Sequence, residues 1–393
     1  SMPLNTLKNT LAFDDLIQDE SNTFNWPLLD ENTAASLCYT SGTTGNPKGV
    51  LYSHKSTILH AITIAGSLGF DSSSSVLPVV PMFHVNAWGV PYAALINGFS
   101  LTLPGQALDG ESLFELIEQE SVDSLLGVPT VWLGLLKYLE EKGKRLDSVN
   151  QVLVGGSAAS YAMIKAFDEQ HGAFLTHGWG MTEMSPLGTI NAPTKKTMSL
   201  PTEERYQLQT KQGYPLFGVE IKTVNDQGEE LPRDGKTSGA LKVKGPWIMH
   251  TYFKAEESAV DNGGWFDTGD VATIHPDGCM QIVDRAKDVI KTGGEWISSI
   301  DLENAILSHK NVLEACVVGV PHPKWDERPL LFLITKDGNP IDPQEVNDFL
   351  IEKVVKWWLP DDIIFVDELP HGATGKLLKV ELREKYKDHL MGK

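Results

Sequence analysis

Cysteine is scarce in this chain, and cationic residues are outnumbered. Its three cysteines, Cys38, Cys279 and Cys316, lie far apart and outside any C-x-x-C or Cys/His ligand spacing. This spacing excludes a disulfide framework and a zinc site of that type, favours a reducing compartment and predicts buried thiols. The 33 Lys and Arg against 52 Asp and Glu leave a formal charge of −19, which argues against nucleic acid or an anionic membrane as a partner. An anionic ligand therefore requires a local cluster of cations.

Long uninterrupted apolar runs are also missing. Acidic residues such as Asp14 and Asp15 break up the first apolar residues, so we expect no signal peptide, no transit segment and a cytoplasmic location. The most apolar stretch, residues 76–96, is interrupted by Pro78, Pro81 and other residues. It is therefore expected to be buried core that contains part of a site, and no transmembrane segment is expected.

The order of apolar runs predicts an α/β protein. With 41% hydrophobic residues and a length of 393, two or three domains of about 150 residues each are possible. The apolar run 151–154, followed by Gly155-Gly156-Ser157 and a helical pattern to Phe167, is typical of a parallel sheet covered by helices. From about Gly213, short runs separated by turns predict an antiparallel sheet or a small barrel.

A smaller α+β unit is predicted after Arg285. We expect a helix over residues 300–307, a strand over 312–320 and a helix that starts at Pro343 behind Asp342. The apolar stripe of this last helix comprises Val346, Phe349, Leu350, Val354 and Trp357, and the helix must end before Pro360. The Trp357-Trp358 pair is expected in a small core rather than on a cofactor or membrane face. The predicted domains are residues 1–284 and 285–393.

The strongest local pattern is the run from Tyr39 to Gly49, directly after a predicted strand. Its glycines allow positive φ and let backbone N–H groups turn inward, its hydroxyls add donors, and Lys48 supplies a cation. The glycine spacing differs from the G-x-x-x-x-G-K-[ST] loop of P-loop NTPases. We interpret the run as a phosphate-binding loop, with a mobile polar surface loop as the alternative. Its candidate ligands are Thr40, Ser41, Gly42, Thr43, Thr44, Gly45 and Lys48.

Further motifs follow in the chain at residues 178–183, 264–270, 283–287 and 370–376. Together with the phosphate-binding loop, this ordered set resembles the adenylate-forming (AMP-binding) superfamily. The residues of these motifs are most similar to those of the acyl-CoA synthetase branch, and within it to those of medium-chain fatty acyl-CoA ligases. The resemblance implies a large N-terminal α/β domain, a smaller mobile α+β C-terminal domain, and ATP, Mg²⁺ and CoA as cofactors. Family members carry roughly 150 further residues ahead of the phosphate loop, so the N-terminal part of the family chain is expected to be absent.

The resemblance also implies roles for single residues. Trp179 would pack on the adenine, Thr182 would meet the α-phosphate, and Glu183 would hold Mg²⁺. Asp270 and Arg285 would contact the ribose. Lys376 would neutralise charge during the first half-reaction, and Lys287 would be the hinge of the C-terminal domain. The remaining implied positions are Gly156, Ser157, Gly178 and Gly180 at the nucleotide, His84 and Trp88 at the acid pocket, with His84 also taken as catalytic, and Gly293, Gly294, Glu295 and Trp296 beside CoA.

Each polar candidate fits its role chemically and has a plainer alternative. A carboxylate such as Asp270 accepts two hydroxyl donors of a vicinal diol, or it is a turn aspartate. Glu183 is a hard oxygen ligand for Mg²⁺, or it caps a surface helix. Lys376 is a mobile ammonium in a glycine-rich loop, or it is simply solvated. Arg285 alternatively pairs with a neighbour, and His84 alternatively is a core histidine bonded to a backbone carbonyl.

The resemblance implies an ATP-dependent acid–CoA ligase. It would activate a carboxylic acid, in the medium-chain fatty class, as acyl-AMP with release of pyrophosphate, and would then transfer the acyl group to CoA. The partners would be small molecules, and a homodimer is left open. Two alternatives remain: an acyl-AMP ligase that passes acyl groups to a carrier protein, and a truncated, catalytically impaired nucleotide-binding protein.

Overall fold

The computed structural model describes residues 12–40, 46–293, 295–336, 338–372 and 376–391. Its strands are β1 Ala34–Tyr39, β2 Gly49–Ser53, β3 Ser75–Val79, β4 Ser100–Leu101, β5 Ser124–Gly127, β6 Gln151–Val154, β7 Phe174–Gly180, β8 Leu187–Ile190, β9 Tyr214–Pro215, β10 Glu220–Val224, β11 Gly239–Lys244, β12 Phe266–Ile274, β13 Met280–Arg285, β14 Ile290–Thr292, β15 Glu295–Ile297, β16 Val312–His322, β17 Asp326–Thr335 and β18 Asp362–Phe365. Its helices are α1 Phe13–Ile17, α2 His54–Leu68, α3 Val85–Trp88, α4 Val90–Asn97, α5 Gly110–Glu120, α6 Pro129–Lys142, α7 Tyr161–Ala166, α8 Lys195–Met198, α9 Thr202–Gln209, α10 Ser299–Leu307, α11 Pro343–Ile351 and α12 Lys379–Lys385.

A seven-stranded sheet with the order β4-β3-β5-β6-β7-β8-β9 forms the largest layer. The strands from β4 to β7 pair in parallel, and β8 and β9 add antiparallel pairs. Apolar clusters cover both faces, which explains why β5 and β6 read as continuous apolar runs. The predicted α/β class is confirmed. Because the carboxyl ends of β5, β6 and β7 meet at one edge, the segments that follow them converge there.

The apolar stretch after β3 contains a left-handed turn. Val85, Asn86, Ala87 and Trp88 have φ values of 45°, 52°, 49° and 59°, so the label α3 marks a turn of the opposite hand to an ordinary helix. The side chain of Asn86 donates to Ser36 Oγ at 2.9 Å and accepts from Cys38 Sγ at 3.5 Å, both on β1. Val85 and Ala87 are buried. The expected buried core over residues 76–96 is confirmed only in part, because Met82, Phe83, Leu95 and Ile96 are exposed. The left-handed backbone form is one that the sequence pattern does not indicate.

The region after Gly213 is antiparallel, as predicted. β10, β11, β12 and β13 pair in sequence order, and the turns between them carry the glycines expected at tight connections. Within the described residues the sheet keeps two edges, β10 and β13. It is therefore an open sheet rather than the small barrel that was the alternative expectation.

The small unit, defined here as β14–β18 with α10–α12, contains the predicted helix at 299–307 and the long strand β16. Asp342 caps α11 and Pro343 occupies its first turn, as predicted. The predicted extent of α11 is wrong: the helix ends at Ile351. Beyond its end, Arg328 on β17 donates to the carbonyls of Trp357 at 2.9 Å and Leu359 at 3.0 Å.

The buried apolar residues form separate clusters along the chain. Two clusters contain only residues up to Ile282, and two others contain only residues from Ile290 onwards. We call the part up to β13 the large unit; the predicted boundary after Asp284 and the hinge at Lys287 stay predictions. The three cysteines are buried and unpaired, which confirms that expectation. Among the helices of the described residues, none combines the length and apolar character needed to cross a bilayer.

Candidate active site

A cavity of about 1130 Å³ lies between the two units. The large unit contributes the segments after β5, β6 and β7, and the small unit contributes Lys376 and part of α10. One wall is apolar and includes Val79, Val128 and Leu133. The predicted site residues on its lining are Thr40, Lys48, His84, Trp88, Gly156, Ser157, Gly178, Gly180, Thr182, Glu183, Arg285, Lys287 and Lys376. Residues that are far apart in the sequence thus share one cavity.

The ends of the predicted phosphate loop meet at its base. Thr40 N donates to Lys48 O at 2.9 Å, and Lys48 N donates to Thr40 Oγ1 at 3.0 Å. Residues Ser41, Gly42, Thr43, Thr44 and Gly45 lie outside the described residues. β1 and β2 pair antiparallel on either side, and Thr40 and Lys48 at their ends both line the cavity.

Thr182 and Glu183 form a short turn immediately after β7, and both are buried. Tyr52 Oη donates to Thr182 O at 2.6 Å, and Tyr252 Oη donates to Glu183 Oε1 at 2.7 Å. A carboxylate has about four lone-pair sites, so the Tyr252 bond leaves acceptor capacity on Glu183. Mg²⁺ is bound through one or two carboxylates plus substrate phosphates. A hard oxygen donor that faces a large cavity fits this requirement.

Asp270 is buried and already holds partners on both oxygens. Arg285 Nε lies 2.8 Å from Oδ1, and Trp179 Nε1 donates to Oδ2 at 2.8 Å. Burial raises the pKa of Asp270, and the positive charge of Arg285 opposes that shift. The plainer alternative for Arg285, an ion pair with a neighbour, is therefore present in the structure. Contacts of Asp270, Arg285 and Trp179 with a nucleotide stay predictions.

Lys376 reaches from the small unit into the cavity, close to the glycine turn after β6. A Cβ atom on Gly156 would lie 3.4 Å from Lys376 Cε. Burial, together with the positive charge of Arg285, lowers the pKa of Lys376 to about 8. Burial, together with the charge of Lys376, lowers the pKa of His84 to about 4. His84 is therefore a neutral imidazole on the cavity wall, next to a cation that titrates near neutral pH.

Trp88 lies on the apolar side of the cavity, at the end of the left-handed turn. A Cβ atom on Gly155 would lie 3.1 Å from Trp88 Cη2, so the glycine leaves space for the indole ring. His84 precedes the turn and Trp88 ends it, which places both on the same cavity.

The predicted CoA-binding residues lie elsewhere. Gly293 is in the connection between β14 and β15, where its N–H donates to Trp325 O at 3.0 Å. Glu295 and Trp296 are exposed on β15, and neither belongs to the described lining of the large cavity. Gly294 and residues 373–375 of the predicted lysine loop lie outside the described residues.

Sequence reasoning missed two groups near the site. Tyr252 lines the cavity and binds Glu183, yet it stands in no motif that we identified. Lys379 Nζ lies 2.7 Å from Glu303 Oε1 and donates to Ser299 Oγ at 2.6 Å. Although burial opposes it, the carboxylates of Glu303 and Asp284 raise the pKa of Lys379, so this ammonium stays charged. Its position three residues after Lys376 is the sequence feature that could have indicated a place near the site.

Two family models match different parts of the chain. A family model described as "AMP-binding enzyme" matches residues 5–253. The chain belongs to the AMP-binding enzyme family. A second model, "AMP-binding enzyme C-terminal domain", matches residues 301–376. The resemblance stated from the motifs is confirmed.

Curated members of this family are similar over most of the chain. A 3-methylmercaptopropionyl-CoA ligase of Ruegeria lacuscaerulensis is 50% identical over 382 residues, which cover 97% of this chain and 71% of the relative. A medium-chain-fatty-acid–CoA ligase of Ectopseudomonas oleovorans is 50% identical over 383 residues, covering 97% and 70%. The resemblance to the acyl-CoA synthetase branch is thereby confirmed as well.

Solved structures of similar fold carry relevant ligands. The anthranilate CoA ligase AuaEII in complex with anthranoyl-AMP has a TM-score of 0.88 at 26% identity, covering 99% of this chain and 73% of that chain. ATP-bound MatB from Rhodopseudomonas palustris has a TM-score of 0.83 at 26% identity, covering 96% and 73%. The two-part α/β architecture is thus that of adenylate-forming enzymes.

Proposed function

We propose that this chain is an ATP-dependent acid–CoA ligase that activates a medium-chain carboxylic acid. The observation that carries the proposal is the shared cavity, which Lys48, Glu183, Arg285 and Lys376 line together with apolar residues such as Val79, Val128 and Leu133. This combination suits a polyphosphate next to an acyl chain. The family and the names of its similar members support the reaction class.

The first half-reaction joins the acid to the α-phosphorus. A carboxylate oxygen attacks that phosphorus, the bond to the bridging oxygen breaks, and pyrophosphate leaves with the electron pair. Two anions approach each other in this step, so the ammonium of Lys376 stabilises the charge that develops between them. We assign Lys48 to the departing phosphates and Thr182 to the α-phosphate. Mg²⁺ held by Glu183 would offset phosphate charge.

The second half-reaction replaces AMP by a thiol. The sulfur of CoA, having lost its proton, attacks the acyl carbonyl carbon, and AMP leaves with the electrons of the carbon–oxygen bond. This step releases no pyrophosphate, and Lys376 is assigned to the first half-reaction. A rotation of the small unit about Lys287 that withdraws the lysine would therefore be compatible with the second half-reaction. The exposed hairpin that contains Gly293 and Trp296 is the proposed contact for CoA. We also propose a cytoplasmic setting, where buried free cysteines are stable and both co-substrates are available.

Exchange between ATP and labelled pyrophosphate tests the first half-reaction. The full chain is assayed with short, medium and long straight-chain acids and with 3-methylmercaptopropionate, and thioester formation is measured with free CoA. We expect exchange and thioester formation to be greatest with medium-chain acids. Exchange without any CoA thioester would instead favour transfer to a carrier protein. ATP binding without exchange for any acid would leave a catalytically impaired nucleotide-binding protein.

Lys376→Ala separates the two half-reactions. We expect exchange to fall by about 100-fold, because the variant loses a cation that acts on the transition state. Thioester formation from supplied acyl-AMP should stay within about twofold of the wild type, because that step does not use the lysine. Equal losses in both half-reactions would refute the role proposed for Lys376.

A further inference from the structure

The segment 249–253 connects the phosphate loop with the turn that carries Glu183. Met249 N donates to Glu183 O at 2.9 Å, and Phe253 N donates to Gly49 O at 2.8 Å. A Cβ atom on Gly49 would lie 3.0 Å from Phe253 Cβ, so the two backbones are in close contact. The segment 249–253 is therefore hydrogen-bonded both to Gly49, at the end of the phosphate loop, and to the turn that carries Glu183.

Tyr252 lies at the centre of this segment and contacts both charged side chains. Its hydroxyl donates to Glu183 Oε1 at 2.7 Å, and the Nζ atom of Lys48 lies 4.7 Å from the centroid of its ring. An ammonium at this distance from an aromatic ring is held by the negative face of the ring.

Tyr252 contacts two groups of opposite charge. A direct ion pair between Lys48 and Glu183 would satisfy both charges and leave neither available to a phosphate or a metal ion. Through Tyr252, the ring face instead holds the ammonium and the hydroxyl orients the carboxylate. Both groups keep free valences towards the cavity, which they line together with Tyr252.

We propose that Tyr252 is a positioning residue for the adenylation step, which orients Glu183 towards the metal–phosphate end of the cavity and holds Lys48 beside it. The inference rests on the proposed function, because it assigns Tyr252 to the first half-reaction alone. Groups that orient a metal-binding carboxylate typically affect metal affinity by about 10- to 100-fold. The substitutions below distinguish the hydroxyl from the ring.

Tyr252→Phe removes the hydroxyl and keeps the ring, whereas Tyr252→Leu removes both. For Tyr252→Phe we expect the Mg²⁺ concentration at half-maximal exchange to rise by about tenfold, with a smaller change in KM for ATP. For Tyr252→Leu we expect KM for ATP to rise as well, because the contact with Lys48 is lost. Tyr214→Phe is the matched control, since its hydroxyl donates to Asp277 at 3.0 Å outside the cavity lining.

Two further measurements distinguish positioning from a purely structural role. Calorimetry of ATP binding with Mg²⁺ and with EDTA measures metal-dependent affinity without turnover, and Tyr252→Phe should lose most of the gain due to Mg²⁺. Thioester formation from supplied acyl-AMP should stay within about twofold of the wild type. A wild-type Mg²⁺ dependence in Tyr252→Phe, or equal losses in both half-reactions, would overturn the inference. If the wild type shows no exchange with any acid, the proposed function fails, while the calorimetric comparison still decides the role of Tyr252.

Discussion

Lys376 carries its charge in a poorly hydrated place. Burial and Arg285 lower its pKa to about 8, and the protonated form is the one that stabilises the transition state. We therefore expect kcat/KM for adenylation to be highest below pH 8 and to fall by about tenfold per pH unit well above it. The neutral His84, with a pKa of about 4, adds no titration near pH 8.

The pH profile of pyrophosphate exchange checks this expectation. Lys376→Arg is the control, because a guanidinium keeps its charge throughout the range. In that variant the descending limb should disappear even if the rate is lower. A limb that persists unchanged in Lys376→Arg would assign the titration to another group.

Gly156 places a second constraint on the same lysine. Its φ is +82°, and a Cβ atom there would lie 3.4 Å from Lys376 Cε and 3.3 Å from Val128 Cγ1. We expect Gly156→Ala to lower the free energy of unfolding by about 1–2 kcal/mol and to reduce exchange by about tenfold through displacement of the lysine. Gly143→Ala is the matched control, because its φ is +60° with open space around it.

Both variants should unfold at lower urea concentration, and only Gly156→Ala should lose exchange. Equal exchange rates in the two variants would show that Lys376 tolerates the added methyl group.

Among single residues, those in motifs were predictable and those outside motifs were not. Lys48, Glu183 and Lys376 were chosen because their neighbours in the sequence suit phosphate chemistry, and they line one cavity. Tyr252 was missed because one aromatic residue in a loop carries no local pattern. Its importance arises from a contact across 69 residues of sequence, which only the fold brings together.

Among the elements, the left-handed turn Val85–Trp88 is held by hydrogen bonds between Asn86 and two side chains of β1. A residue in this conformation costs about 1–2 kcal/mol, and asparagine tolerates it better than alanine. Asn86→Ala loses the bonds to Ser36 and Cys38 and adds that strain, so we expect about 2–3 kcal/mol of destabilisation. Asn86→Gly loses the same bonds without the strain and should be destabilised about half as much.

Both Asn86 variants should raise KM for the acid, since the turn places His84 and Trp88 at the cavity. Urea unfolding and initial rates against acid concentration measure the two effects. Equal stabilities of the variants would exclude a contribution from backbone strain, and an unchanged KM in both would separate the turn from the acid pocket.

Periodic elements were the predictable part of the fold. The start of α11 followed from Asp342 and Pro343, because capping is encoded within one turn of sequence. Its end did not follow: the apolar stripe continues to Trp357, whereas residues 357 and 359 accept hydrogen bonds from Arg328, which is distant in sequence. The left-handed turn escaped for the same reason: Ser36 and Cys38 are distant in sequence from Asn86.

At the scale of the whole molecule, a largely buried ion pair joins Lys379, at the start of α12, to Glu303 on α10. Lys379 and Glu303 are 2.7 Å apart, and each side chain is 13% exposed. Lys379→Met leaves the Glu303 charge unpaired, so we expect the small unit to lose about 3–5 kcal/mol. Lys379→Met with Glu303→Leu should recover part of that loss, because the unpaired Glu303 charge is removed, whereas the buried Asp284 still lacks the lysine.

Urea unfolding followed by tryptophan fluorescence measures both variants, and exchange shows whether Lys376 keeps its place. A single variant as stable as the wild type would show that the pair contributes nothing. A double variant less stable than the single one would show that packing, rather than the unpaired charge, dominates.

Because the cavity lies between the units, a ligand bound there can couple the unfolding of one unit to the unfolding of the other. A ligand that contacts only one unit raises the stability of that unit alone, by an amount set by its concentration relative to its dissociation constant. An acyl-adenylate would touch the wall near Trp88 and the lysine of the small unit at once, since both line the same cavity. The reaction intermediate would then join two separately cored parts into one unfolding unit, and its conversion into a CoA thioester and AMP, which dissociate, would release them again.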